Sequence, residues 1–182
     1  MLDEVQGRTI GPIVLGLNTA FLDLFRRVHP DPMGLNERLA DRLVALSPES
    51  SRRLAALPCV LFGFGLAGNT TWDQVLDAHE PASLERTEVA RFLLIALSSM
   101  ATIAAGDRDT AAVRFGVPER VLRRLVEGGP EVALQLASRL DVTARFGTCG
   151  SLWGGLISAA SRRRQAIDTR SLPGERHRSI RL

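Results

Sequence analysis

Residues 34–49 read Gly34-Leu35-Asn36-Glu37-Arg38-Leu39-Ala40-Asp41-Arg42-Leu43-Val44-Ala45-Leu46-Ser47-Pro48-Glu49. Residues 116–131 read Gly116-Val117-Pro118-Glu119-Arg120-Val121-Leu122-Arg123-Arg124-Leu125-Val126-Glu127-Gly128-Gly129-Pro130-Glu131. The two stretches lie 82 positions apart and align without a gap as far as Phe64-Gly65 and Phe146-Gly147, with 13 identities in 32 positions. About two identities would arise by chance at average residue usage. An internal duplication is therefore the organising expectation. It divides the chain into a first repeat over 1–80, a second over 83–165 and a basic flexible tail over 166–182, with a hinge at His79 to Ala82.

Within each repeat the apolar spacing is helical. Ile13, Leu17, Phe21, Leu24, Phe25 and Val28 recur every three to four residues and predict an amphipathic helix over 13–28, which Pro30 and Pro32 end. Asn36 to Leu46 repeats the pattern with Leu39, Leu43 and Leu46 inward. Ser47 is placed to cap a third helix with Pro48 at its first position, where the missing N–H costs nothing. Thr71-Trp72-Asp73-Gln74 reads as a capping box for a short helix to about Ala78. In the second repeat a long apolar helix is expected from about Leu84 to Ala105, then a short one capped by Asp107 or Asp109. Helices over 118–127 and 130–140 follow, and a last one is capped by Ser151. Cys59 to Phe62 and Val142 to Phe146 are short apolar runs that suit strands. The predicted class is all-α: a duplicated helical repeat with helix-turn-helix-like corners and short strands after the third helix of each half.

Composition narrows the function classes. With 45% hydrophobic and 24% charged residues, the chain of 182 has the make-up of a soluble globular protein. Its start, Met1-Leu2-Asp3-Glu4, is acidic and unlike a signal peptide. The apolar run Phe92–Ala105 falls short of the ~20 residues that cross a bilayer, so a cytoplasmic protein without membrane contact is expected. Every basic residue counted under Lys+Arg is arginine. Residues 1–160 carry a net charge of −2 and residues 161–182 a net of +5, so the positive balance lies in the tail.

The most informative local motif is Thr110-Ala111-Ala112-Val113-Arg114-Phe115-Gly116-Val117-Pro118-Glu119-Arg120-Val121-Leu122-Arg123-Arg124-Leu125. A helix-turn-helix needs a small residue where its helices meet, here Ala112, and a flexible turn, here Gly116. It also needs an apolar inner face on the second helix, here Val121 or Leu122, and Leu125. Arg114 and, on the outer side, Arg120, Arg123 and Arg124 are then candidates to meet phosphates or guanine edges. Many protein-packing corners share the pattern. The first repeat keeps the second helix but has Arg27-Val28-His29-Pro30-Asp31-Pro32 in place of the first, a degenerate version suited to packing or partner contact. Arg162, Arg163 and Arg164 begin a basic arm that would contact nucleic acid electrostatically.

Other chemistry is weaker. Gly63-Phe64-Gly65-Leu66-Ala67-Gly68 has the G-x-G-x-x-G spacing, but the helical sequence downstream lacks the parallel strands of a dinucleotide fold. His29, His79 and His177 stand singly. Cys59 and Cys149 are too few for a disulfide framework, lack metal-knuckle spacing, and read as small buried hydrophobes that would pair only if the halves pack symmetrically. No catalytic residues, cofactor or metal site are expected, and the chain is not expected to be an enzyme.

With the repeats laid out, each half resembles the FlhD subunit of the flagellar transcriptional activator and its relatives on conjugative elements. Phe92-Leu93-Leu94-Ile95-Ala96-Leu97 followed by Ala111 to Glu119 looks like that family's first helix and central helical pair. Leu35-Asn36-Glu37 and the leucine-alanine run ending in Phe62 and Phe64 look like the part that follows. The resemblance spans about Leu15–Phe64 and Glu88–Phe146. It implies an all-helical, dimeric regulator of transcription that binds double-stranded DNA together with an FlhC-like protein partner. This chain differs in holding two copies, and it lacks the cysteine zinc set of the FlhC subunit. Two fused copies are expected to pack as a pseudo-dimeric monomer about an approximate two-fold, or to associate further as a homo-oligomer. A helical protein–protein adaptor without DNA contact is the alternative.

Overall fold

The computed structural model describes residues 2–28, 33–66, 70–78, 87–145 and 150–168. His29, His79, His177, Phe146, Cys149, Gly68, the expected hinge and the tail after Asp168 lie outside them. Among the described residues the chain is mostly helical with one small sheet. The elements run α1 (Leu2–Val28), α2 (Glu37–Val44), α3 (Pro48–Ala55), β1 (Phe62–Leu66), α4 (Trp72–Asp77), α5 (Glu88–Gly106), α6 (Arg108–Phe115), α7 (Glu119–Ala137), β2 (Leu140–Ala144) and α8 (Gly150–Asp168).

Local chemistry accounts for most of the boundaries. Asn36, Ser47, Thr71, Thr87 and Asp107 occupy the N-caps of α2 to α6, each side chain accepting a bond from a backbone N–H of the first turn. Thr71 and Gln74 form the reciprocal capping box. Thr87 starts α5 at Glu88, later than the sequence periodicity suggested. Ser151 lies within α8, one position after its first residue, Gly150. α7 comprises two helical segments, as expected over 118–127 and 130–140, separated at Gly129, whose φ 57° and ψ −141° are non-helical. That conformation is open to glycine at little steric cost. Leu140 leaves the helix and starts β2.

The core is shared by both halves of the chain. Phe21 of α1, Phe62 of β1 and Phe92 of α5 meet with ring centroids 4.9–6.2 Å apart, and Phe115 of α6 reaches Phe62 at 6.4 Å. Around them Leu93, Leu97, Met100, Leu122 and Leu125 are fully buried. α5 is long and apolar enough to cross a membrane by length and composition, yet here it packs against α1, α6 and α7.

Asn18 is the most deeply buried of the polar residues among the described residues, ahead of Ser50 and Ser51. Its Nδ2 donates to the carbonyls of Ala55 (3.0 Å) and Cys59 (2.9 Å), while its Oδ1 accepts from the N–H of Leu61 (2.9 Å). These bonds satisfy backbone groups at the two ends of the α3–β1 connection, where it leaves α3 and re-enters the core at Leu61.

β1 and β2 pair antiparallel, with Phe62 opposite Ala144 and Leu66 opposite Leu140. The strand was expected over 59–62, but it lies over Phe62–Leu66 and so takes in the first two glycines of the G-x-G-x-x-G run. A Cβ on Gly65 would sit 3.0 Å from Thr143 Cγ2, and one on Gly63 3.3 Å from Thr143 Oγ1. The two glycines therefore admit the cross-strand neighbour and do not form a phosphate loop. Phe62 and Ala144 are 82 positions apart, the same offset that carries α2 and α3 onto the two segments of α7. α4 packs on α7, and α8 packs on α2 and α3, so each half lays its last helix on the other.

Candidate nucleic-acid interface

The corner between α6 and α7 is built by its turn. Gly116 adopts the left-handed conformation (φ 67°, ψ 35°), and its N–H returns to the carbonyl of Ala112 at 2.8 Å, closing α6 as left-handed glycines commonly do. Val117 is buried behind it, and Pro118 opens α7 from an extended conformation. At the other end of α6 the Asp107 carboxylate accepts from the N–H of Thr110 (2.9 Å) and from its hydroxyl. The Thr110 hydroxyl and N–H hold the Asp107 carboxyl below its ordinary range.

On α6 Ala111 is fully buried, and its neighbour Ala112, the expected small residue, is partly buried and packed against the core. Val121, Leu122 and Leu125 are all buried, so the inner face of α7 carries both apolar candidates. α5 packs against both helices of the corner, so that three helices share its core.

A side chain that the sequence reading missed also fixes the corner. Arg145, just after β2, donates Nη2 to the carbonyl of Val113 (3.1 Å) and Nη1 to that of Arg114, completing the C-terminus of α6. Burial lowers the pKa of its guanidinium, an effect that the nearby Cys59 thiol opposes. The Arg145 carbonyl in turn accepts from Trp153 Nε1 at 2.6 Å, tying α8 to the same point. Cys59 is exposed, contrary to the buried role expected of it.

The candidate arginines divide into three groups. Arg120, Arg123 and Arg124 share the exposed side of α7. Arg120 Nε lies 2.9 Å from Asp73 Oδ1 of α4, and Arg123 Nη2 lies 3.5 Å from Glu119 Oε1. Arg114 is on α6 and donates Nη1 to the Pro58 carbonyl at 2.7 Å, so it braces the corner against the α3–β1 connection. Arg162 is exposed near the end of α8. Arg163 and Arg164 belong to that helix, but their side chains are outside the described residues. The two helices of the corner also carry exposed apolar side chains, Val113 at 77% on α6 and Val126 at 36% on α7.

No family model matches this chain, and no curated protein or solved structure is significantly similar to it. The functional reading therefore rests on the residues and their geometry.

Proposed function

We propose that the chain is a DNA-binding transcriptional regulator resembling FlhD, made of two fused copies and acting in a complex. One observation carries the reading: α7 buries Val121, Leu122 and Leu125 behind a glycine-turned corner and offers Arg120, Arg123 and Arg124 on its exposed side. An outward arginine face on the second helix of such a corner suits phosphate contact and base-edge readout. Support for the duplication comes from the 82-residue offset shared by the helices and by the Phe62–Ala144 pair. The strand ladder ends on a pair of equivalent positions, Phe62 and Ala144, and the exchange of α4 and α8 between halves is reciprocal. An approximate two-fold passing by that pair accounts for both features.

The test is binding of the full chain to mixed genomic duplex fragments across a salt series. Arg123→Ala/Arg124→Ala and Arg162→Ala/Arg163→Ala/Arg164→Ala variants are measured alongside. Loss of two phosphate contacts on α7 lowers the salt slope by about 1.8. Sequence enrichment by the wild-type chain that survives loss of the basic arm but not of the α7 pair supports the reading. Binding that follows the arm alone and selects no sequence would refute it. A second reading, a helical adaptor, is favoured by the exposure of Val113 and Val126 beside the corner, since a protein partner such as an FlhC-like subunit would cover apolar side chains there.

A further inference from the structure

α4 packs on α7 and is held in place by contacts to the α7–β2 connection and to β1. Val75 is buried, and its carbonyl accepts from Arg139 Nη1 of the α7–β2 connection at 3.3 Å. Trp72 meets Phe64 edge to face at 6.3 Å. The capping box holds the first turn, and with it Asp73. The Asp73 carboxylate consequently lies 2.9 Å from Arg120 Nε, in the place a phosphate oxygen would take. On the other half, α8 packs on α2, where the residue offset by 82 from Arg120 is Arg38 and where Arg42 Nη2 donates to the Ser158 hydroxyl (3.0 Å). The residue of α8 offset by 82 from Asp73 is Gly155. The carboxylate therefore stands only over the helix whose exposed face carries three arginines.

We propose that Asp73 acts as an internal phosphate mimic, competing with duplex phosphate for Arg120 and thereby setting the DNA affinity of the α7 face. This inference rests on the DNA-binding reading of α7. The pair is open to exchange, because both side chains are more than half exposed, at 55% and 57%. Exposed pairs of this kind add little to folding, so neutralising Asp73 leaves the fold intact. Freeing Arg120 supplies about one further phosphate contact, steepening the salt slope by about 0.9.

The experiment compares wild-type chain, Asp73→Asn, Arg120→Ala, the double variant Asp73→Asn/Arg120→Ala and Arg124→Ala on one duplex between 50 and 200 mM salt. Asp73→Asn is expected to bind about five- to tenfold more tightly at 0.1 M salt, with an advantage that shrinks about 3.5-fold across the series. In the Arg120→Ala background the same substitution changes affinity less than about twofold, which separates direct competition from a general charge effect. If Asp73→Asn matches wild type while Arg124→Ala weakens binding, the competition is overturned and the DNA reading stands. An equal gain with or without Arg120 also overturns it. If no variant binds duplex, both inferences fall.

Discussion

Replacing Asn18 with alanine tests how the core is held. Asn18 is fully buried, as are Ala55 and Leu61 at 1% and 2% exposure, whereas Cys59 is exposed. Removing the amide leaves the Leu61 N–H and the Ala55 carbonyl buried without these partners, while the Cys59 carbonyl regains water. Two stranded groups at about 1–3 kcal/mol each, with a small cavity term, give a loss of about 3–5 kcal/mol. For a chain of this size the melting midpoint falls by about 6–15 °C. Urea denaturation followed by Trp72 and Trp153 fluorescence measures the change. Asn18→Leu fills the volume but pairs neither group, so it remains destabilised by at least about 2 kcal/mol. Asn18→Asp keeps the acceptor for Leu61, but its ionised form aims lone pairs at the Ala55 and Cys59 carbonyls; it therefore recovers stability in acid, when the carboxyl can donate. A leucine variant as stable as wild type would refute the reasoning, because it would show that burial alone holds the connection.

Arg145→Leu strips two donors from the end of α6 and is expected to lower stability by about 1–3 kcal/mol in chemical denaturation. It is also expected to increase hydrogen exchange at Gly116 and Val117; a variant with unchanged exchange there would show that the corner does not depend on Arg145. For Asp107, a folded pKa below the ordinary value means a contribution present above the unfolded-state pKa and lost as pH falls through the folded one. The melting gap between wild type and Asp107→Asn should therefore be widest near neutrality and close below about pH 4, and a gap that widens on acidification would contradict the sign.

What was legible in the sequence was mostly local. Ser47-Pro48 and the Thr71–Gln74 box could be read because a cap and the N–H it serves lie within one turn. The inner face of α7 was visible for the same reason, since Val121, Leu122 and Leu125 recur at helical spacing. Phase was harder in short elements: α6 has eight residues, and its rotation, set by the cap at Asp107 and by packing on α5, buries Ala111 more completely than Ala112. Strand register was out of reach for a run such as Phe62-Gly63-Phe64-Gly65-Leu66, because its limits come from the partner strand. The same glycines imitated a phosphate loop until Thr143 explained their lack of a side chain. Asn18 did leave a signal, a polar residue between the apolar positions Leu17 and Phe21, although what it bonds 37–43 residues away could not be read.

The candidate interface shows the same division. Residue type and spacing put arginines on the outside of α7, but their availability depends on contacts distant in sequence. Arg114 is taken up by Pro58, 56 positions away, and Arg120 by Asp73 on a helix from the other half. Both losses follow from one feature of the topology: the α3–β1 connection and α4 are brought against the second half's corner when β1 pairs with β2. A chain that kept its halves apart would leave the whole arginine face open. Here, the packing that completes the core also decides which cations remain for a ligand: on α7, Arg123 is paired within its own helix, with Glu119, and Arg124 makes no ion pair among the described residues. Substitutions at those two positions therefore test recognition most cleanly, whereas Arg114 variants would mix recognition with the stability of the corner.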